Sequence, residues 1–309
     1  LIVGNFLGSN ALAAVSSSGN LIFLLVGFFN GIAIGAGVVT AKYFGAGETE
    51  NLKKSIYTTV SFGIICGIAL TIIGIVAAPR ILLLMGTPEE VLPNSLSYFR
   101  IYFAGSLAFV MYNFFVGILQ AMGDSRHPLF FLIASSMTNI VLDLLFVGGF
   151  GMGVGSAAFA TIISQFLSAF LCLRQLMKGN DVFRLELSKI RIDPYMLKQI
   201  VINGVPAGVQ NSIISVANVF VQSNINTFGA TAVAGCGSYS KIEGFGFLPV
   251  TCFSQALTTF IGQNLGAREY ERAKKGAVFG AVCSLSIAEL IGLGINFLAP
   301  TLIGSFGGG

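Results

Sequence analysis

The run LIVGNFLGSNALAAVSSSGNLIFLLVGFFNGIAIGAGVVTA (residues 1–41) contains no Asp, Glu, Lys or Arg. A helix needs about 20 apolar residues to cross the hydrocarbon core of a bilayer, so this run holds a crossing, a turn and part of another helix. Further charge-free runs follow at 55–79, 101–123, 144–173, 199–240 and 244–267, and each is long enough for one crossing. Over the whole chain 54% of residues are hydrophobic and 10% are charged, against roughly 25% charged in soluble domains. These counts specify an all-α polytopic membrane protein. They exclude a disordered chain and a disulfide scaffold. A formal charge of +4 without a dense basic patch also excludes nucleic acid as a partner.

Reading apolar runs between charge and turn clusters gives about eight complete transmembrane helices, at 11–43, 55–78, 97–121, 128–149, 154–177, 200–224, 233–264 and 277–299. Residues 1–7 read as the end of an earlier helix. The loops after the first, third, fifth and seventh spans, with their flanks, hold 14 Lys and Arg, including Lys53, Lys54, Lys189, Arg191, Lys274 and Lys275. The other side holds three: Arg80, Arg100 and Lys241. Basic residues concentrate in cytoplasmic loops, so those four loops face the cytoplasm. The stretch 178–198 reads either as an amphipathic linker between two halves or as an ordinary solvated loop.

The chain also matches itself. Laying FGAGETENLKK (44–54) over LGAREYERAKK (265–275), and extending that register without a gap, gives 14 identities across 5–86. Six spans separate the copies, so both halves point the same way, as in transporters built from parallel repeats. The expected parent is two six-helix bundles, of which this chain is a fragment truncated at both ends. Its parts are an N-terminal bundle at 1–177 with the first helix mostly missing, a linker at 178–198, and the first three helices of a C-terminal bundle at 199–309.

Several segments, taken together and in order, resemble the multidrug and toxic compound extrusion (MATE) transporters. They are IVGNFLGSNALAAVS (2–16), AKYFGAGE (41–48), QAMGDSRHP (120–128), NIVLDLLFVGGFGMGVGSAAFATIISQ (139–165), GVPAGVQ (204–210) and KIEGFGFLPVTCFSQALTTFIGQNLGA (241–267). The last is most similar to the bacterial DNA-damage-inducible-F-like branch. The acid that the NorM-like branch carries about eight residues after its seventh-helix proline has no match, since Pro206 is followed there by Ile214.

An ionised carboxylate in hydrocarbon costs at least about 2.5 kcal/mol, so acids inside spans are functional candidates. Asp143, Glu243 and Glu289 qualify. Asn139 lies four residues before Asp143, on the same helix face. The short Gly-rich link 148–155 makes the fourth and fifth spans antiparallel neighbours. Counting about 1.5 Å per residue from that link pairs Asp143 with Thr161 and Asn139 with Gln165. Such a cluster can accept a proton, or can offer oxygens to Na⁺; a plain interhelical hydrogen-bond cluster is the alternative. The resemblance implies that Asn139, Asp143 and Thr161 match the family's cation-site positions, so they are also the candidate Na⁺ ligands.

Glu243, Gln255 and Tyr112 are candidates for a substrate cavity. Pro206 and Pro249 interrupt the sixth and seventh spans and are candidate hinges or static kinks. The five cysteines fall in apolar segments without CxxC spacing and read as buried thiols. His127 reads as a turn residue. No HExxH motif, Ser–His pairing or phosphate-binding loop is present, so an enzyme is not expected. The resemblance implies an antiporter of the bacterial plasma membrane, coupled to H⁺ or Na⁺, exporting small organic cations as a monomer without a cofactor. A flippase for a lipid-linked oligosaccharide or another lipid is the alternative reading, disfavoured because the spans lack Lys and Arg for an anionic headgroup.

Overall fold

The computed structural model describes residues 25–84, 92–179, 184–228 and 230–306. The expected earlier helix at 1–7 and the start of the first span lie outside the described residues. Among the described residues every regular element is helical: α1 (Leu25–Gly45), α2 (Thr49–Leu84), α3 (Leu92–Ala104), α4 (Ser106–Ala121), α5 (Arg126–Asp143), α6 (Val154–Lys178), α7 (Pro194–Asn226), α8 (Ala230–Gly266) and α9 (Tyr270–Phe306). Among the described residues six helical segments are long and apolar enough to cross a membrane, or seven with the bent pair α3–α4 counted as one span; α8, which covers the expected span 233–264, is not among them. The fold is that of a polytopic all-α membrane protein. Large side chains such as Val76, Phe130, Phe170 and Phe297 are exposed, as lipid-facing positions are.

Two expected helices are interrupted. The third span begins at Leu92 and bends by 46° after Ala104. Gly105 sits at the break because α6 passes close by: a Cβ there would collide with the side chain of Ile162. Ser106 restarts the helix, donating to the Phe103 carbonyl at 2.8 Å and meeting Thr71 at 2.9 Å. The fourth span also changes character. Its α-helix ends at Asp143, and Leu144–Gly149 form a π-helical turn.

The internal repeat is visible as geometry. Gly47 and its counterpart in the second copy, Arg268, both have left-handed backbones, with φ of 67° and 61°. Around Gly47 the Glu48 amide donates to the Tyr43 carbonyl, and the Leu52 amide to the Glu48 carbonyl. Around Arg268 the equivalent bonds run from Glu269 to Asn264 and from Ala273 to Glu269. Donors and acceptors correspond in the register of the sequence repeat, so one helix–turn–helix device is used twice.

By packing, the chain divides into two units. The first runs to Ser215 without Gly45–Gly47; the second comprises Gly45–Gly47 and Val216 onward. The division by packing falls inside α7. Two features tie the linker and the first part of α7 to the first unit. Leu185, Met196 and Ile200 are buried in its core with Phe99, Phe103 and Phe114. The Asp193 amide donates to the buried Thr58 hydroxyl at 3.0 Å, and the Asp193 carboxylate caps α7 by accepting from the amides of Tyr195 and Met196. Pro194 follows at the first helical position, where no N–H is needed. The linker is thus docked, and not simply solvated.

Farther along, α7 lies against α1 through glycine. A Cβ on Gly31 or Gly35 would collide with the backbone of Gly208 or Gly204 respectively. Asn211 donates to the Gly27 carbonyl at 3.2 Å, one turn on. In the second unit α8 and α9 pack by the same logic, with Gly276 under the Phe260 ring and Gly280 under Leu257.

Candidate functional site

Asp143 is the last α-helical residue before the π-helical turn. Such turns widen the coil and often accompany functional positions. Two hydrogen bonds set the register of α5 against α6. The buried Ser135 hydroxyl donates to the Ser164 carbonyl, and the Asn139 amide donates to the Thr161 hydroxyl at 3.5 Å. Thr161 in turn donates to the Ala157 carbonyl at 2.9 Å.

This register corrects the depth count made from sequence. Asn139 meets Thr161, not Gln165, and continuing the same pairing places Asp143 level with Ala157, one turn beyond Thr161. The count treats 139–148 as one straight α-helix, whereas Leu144–Gly149 form the π turn.

The Gln165 side chain instead lies near the Tyr102 hydroxyl of α3. Tyr102 stacks on Tyr98, ring centroids 6.2 Å apart at 24°. Tyr98 is buried and interacts electrostatically with the Asp143 carboxylate. These two tyrosines place polar groups of α3 near the α5–α6 pair, and sequence reasoning missed them. The available signal was their spacing of four residues, which puts both on one helix face. The Asp143 Oδ1 oxygen is shielded and accepts no hydrogen bond among the described residues. No group of three or more His, Cys, Asp or Glu that could hold a metal is found among the described residues. A cation here would therefore depend on oxygens of Asp143, Asn139, Thr161 and the tyrosines.

The candidate cavity residues are divided between the units, Tyr112 in the first and Glu243 and Gln255 in the second. Tyr112 is half-buried against the core of the first unit. Glu243 is half-buried and lines a groove between α8 and α9. Gln255 is exposed on α8, three turns beyond Glu243. Pro206 lies in α7 within Gly204–Gly208, at the contact with α1, and Pro249 lies within α8. Glu289 is exposed on α9.

His127 is paired to Asp124 at 2.8 Å and meets Gln175 at 3.3 Å, tying the α4–α5 turn to α6. All five cysteines are free; Cys66 and Cys172 are buried, Cys236 and Cys283 are half-buried, and Cys252 is exposed, against the expectation of burial for all.

A family profile, MatE, matches residues 1–145 and 206–309. The chain is 32% identical over 282 residues to the probable multidrug resistance protein YoeA of Bacillus subtilis, covering 89% of this chain and 61% of that protein. It is 28% identical over 302 residues to the probable multidrug resistance protein NorM of Thermotoga maritima, covering 96% and 65%. The chain thus spans less than two thirds of the length of either relative. A solved structure of a MATE protein in a bent conformation superposes with a TM-score of 0.91 at 25% identity, covering 99% of this chain and 68% of that one.

Proposed function

The chain belongs to the MatE family, and from that premise we propose that the protein it forms is a cation-coupled antiporter. It exports small organic cations by alternating access across the bacterial plasma membrane, as a monomer and without an organic cofactor. The observation that carries this reading is the shielded, unbonded Oδ1 of Asp143 beside the Asn139–Thr161 pair. A buried carboxylate oxygen without a donor is costly, and a proton or Na⁺ satisfies it. Asn139, Thr161 and the neighbouring Tyr98 supply the remaining polar atoms. The coupling ion therefore binds between α3, α5 and α6, and its binding favours the state that releases substrate outside. Such coupling requires that each ligand bind the two states unequally.

The test uses the full-length protein in proteoliposomes, beside its Asp143→Asn variant. Uptake of a fluorescent organic cation is followed under an imposed proton gradient and then a sodium gradient. One gradient drives uptake in the wild type, and the substitution lowers it by about tenfold or more. Folded wild-type protein that responds to neither gradient overturns the antiporter. A variant that keeps full gradient-driven uptake removes Asp143 from the coupling site.

A further inference from the structure

We propose that the linker docked on α2 is a binding surface for anionic phospholipid headgroups, with Lys53, Arg184 and Arg191 meeting the phosphate charge. Residues 42–54 and 174–198 together hold nine Lys and Arg against five Asp and Glu. The acids among the described residues there are already engaged. Glu48 accepts from Asn51 at 2.6 Å, Glu50 pairs with Lys54 and Glu186 with Lys189, each at 2.8 Å, and Asp193 caps α7. Lys53 and Arg184 stand near enough to Glu186, and Arg191 to Glu50, for the charges to interact. None of the three forms an ion pair among the described residues, so their charge is open to an outside partner.

Depth selects a lipid as that partner. The charge-free run of α2 begins at Ser55, directly after Lys53 and Lys54, so the boundary between hydrocarbon and headgroups falls there. Thr58 is about 4.5 Å deeper along the helix. The bond from the Asp193 amide to the Thr58 hydroxyl pins the linker at that level. Arg191 comes two residues earlier and can retreat by at most about 7 Å. That keeps it within the headgroup layer, which is roughly 5–8 Å thick on each face. The side is the one that the basic loops mark as cytoplasmic, where anionic lipids give the leaflet a negative surface.

The apolar side chains of the segment fit the same partner. Leu187, Ile192 and Tyr195 are exposed, whereas Leu185, Met196 and Ile200 are buried in the core of the first unit. One apolar set therefore holds the segment to the protein and a second set faces outward. In water the outward set is unfavourable. At the acyl boundary it is buried while the neighbouring bases reach the phosphates, as in amphipathic interfacial segments. A soluble phosphate would use the bases but gain nothing from Leu187 or Ile192. This surface does not depend on the export reading above.

The experiment uses the full-length protein in phosphatidylcholine nanodiscs. Ser188→Cys, exposed between Leu187 and Lys189, is its only cysteine and carries a bimane fluorophore. Quenching by trace spin-labelled phosphatidylglycerol is compared with quenching by spin-labelled phosphatidylcholine. Each base near an anionic lipid is worth about fivefold, so phosphatidylglycerol is expected to associate at least about fivefold more strongly. Lys53→Gln, Arg184→Gln and Arg191→Gln combined bring the ratio to about one, and Lys53→Arg, Arg184→Lys and Arg191→Lys combined preserve it. Leu187→Ser with Ile192→Ser weakens quenching by both lipids. Four results overturn the surface. They are no quenching by either lipid, equal quenching by the two, a preference that survives loss of the three charges, and inorganic phosphate abolishing the preference at an ionic strength where chloride does not.

Discussion

At the residue scale, the clearest consequence of the duplication is a mismatch between two equivalent positions. Gly47 and Arg268 occupy the same left-handed turn, but only glycine adopts it without a Cβ clash. Left-handed backbone costs an L-residue roughly 1–2 kcal/mol, partly offset by the entropy glycine loses on folding. Arg268→Gly should therefore raise stability by up to about 1 kcal/mol, and Gly47→Ala should lower it by about the same amount. Thermal unfolding midpoints in detergent check both, and a lowered midpoint for Arg268→Gly would show that its side chain holds the turn. Asp143 stands out in the sequence because a carboxylate in an apolar run is costly. Tyr98 and Tyr102 were not, since buried tyrosine is common and their partners, Asp143 and Gln165, stand on helices distant in the chain.

At the scale of elements, helix existence was legible and helix continuity was not. Charge-free length finds a span, but the break at Gly105 depends on how closely Ile162 approaches, and the π turn after Asp143 leaves no compositional mark. The glycines of α1 show the same limit: their spacing is compatible with close packing and with motion, and only the partner helix decides. Gly31 and Gly35 meet Gly208 and Gly204 backbone to backbone, the small-residue packing that replaces hydrophobic association inside a bilayer. Backbone cannot yield as a side chain can. Gly31→Leu should destabilise the protein by about 1–3 kcal/mol. Gly27→Ala is the matched control, because its Cβ would stand 3.6 Å from Asn211, an ordinary contact. Equal unfolding midpoints for the two variants would mean that α1 and α7 separate without cost.

At the scale of the whole molecule, orientation in the membrane follows from charge placement, whereas the boundary between units does not. The polar linker 178–198 resembles a boundary because it is the longest charged stretch. Burial of Leu185 and the Asp193–Thr58 bond instead attach its described part to the first unit. A few well-placed contacts thus outweighed composition. Orientation rests on a sum over many residues, 14 basic groups against three, and so does not depend on any one contact. Within the first unit the order of helices agrees with it: counting crossings along the chain, the α4–α5 turn and the linker fall at one set of helix ends, and the Gly-rich turn after Gly149 at the other. Single cysteines placed at Lys53, Lys189 and Lys274 in a cysteine-free background should react with an impermeant maleimide only when the cytoplasmic face is exposed. One at Met152, exposed in the Gly-rich turn, should react from outside in intact cells. Labelling of all four from the same side would refute the alternation of spans on which the topology depends. Labelling of Lys189 alone from the outside would place the linker across the membrane from Thr58, which its hydrogen bond to Asp193 does not permit.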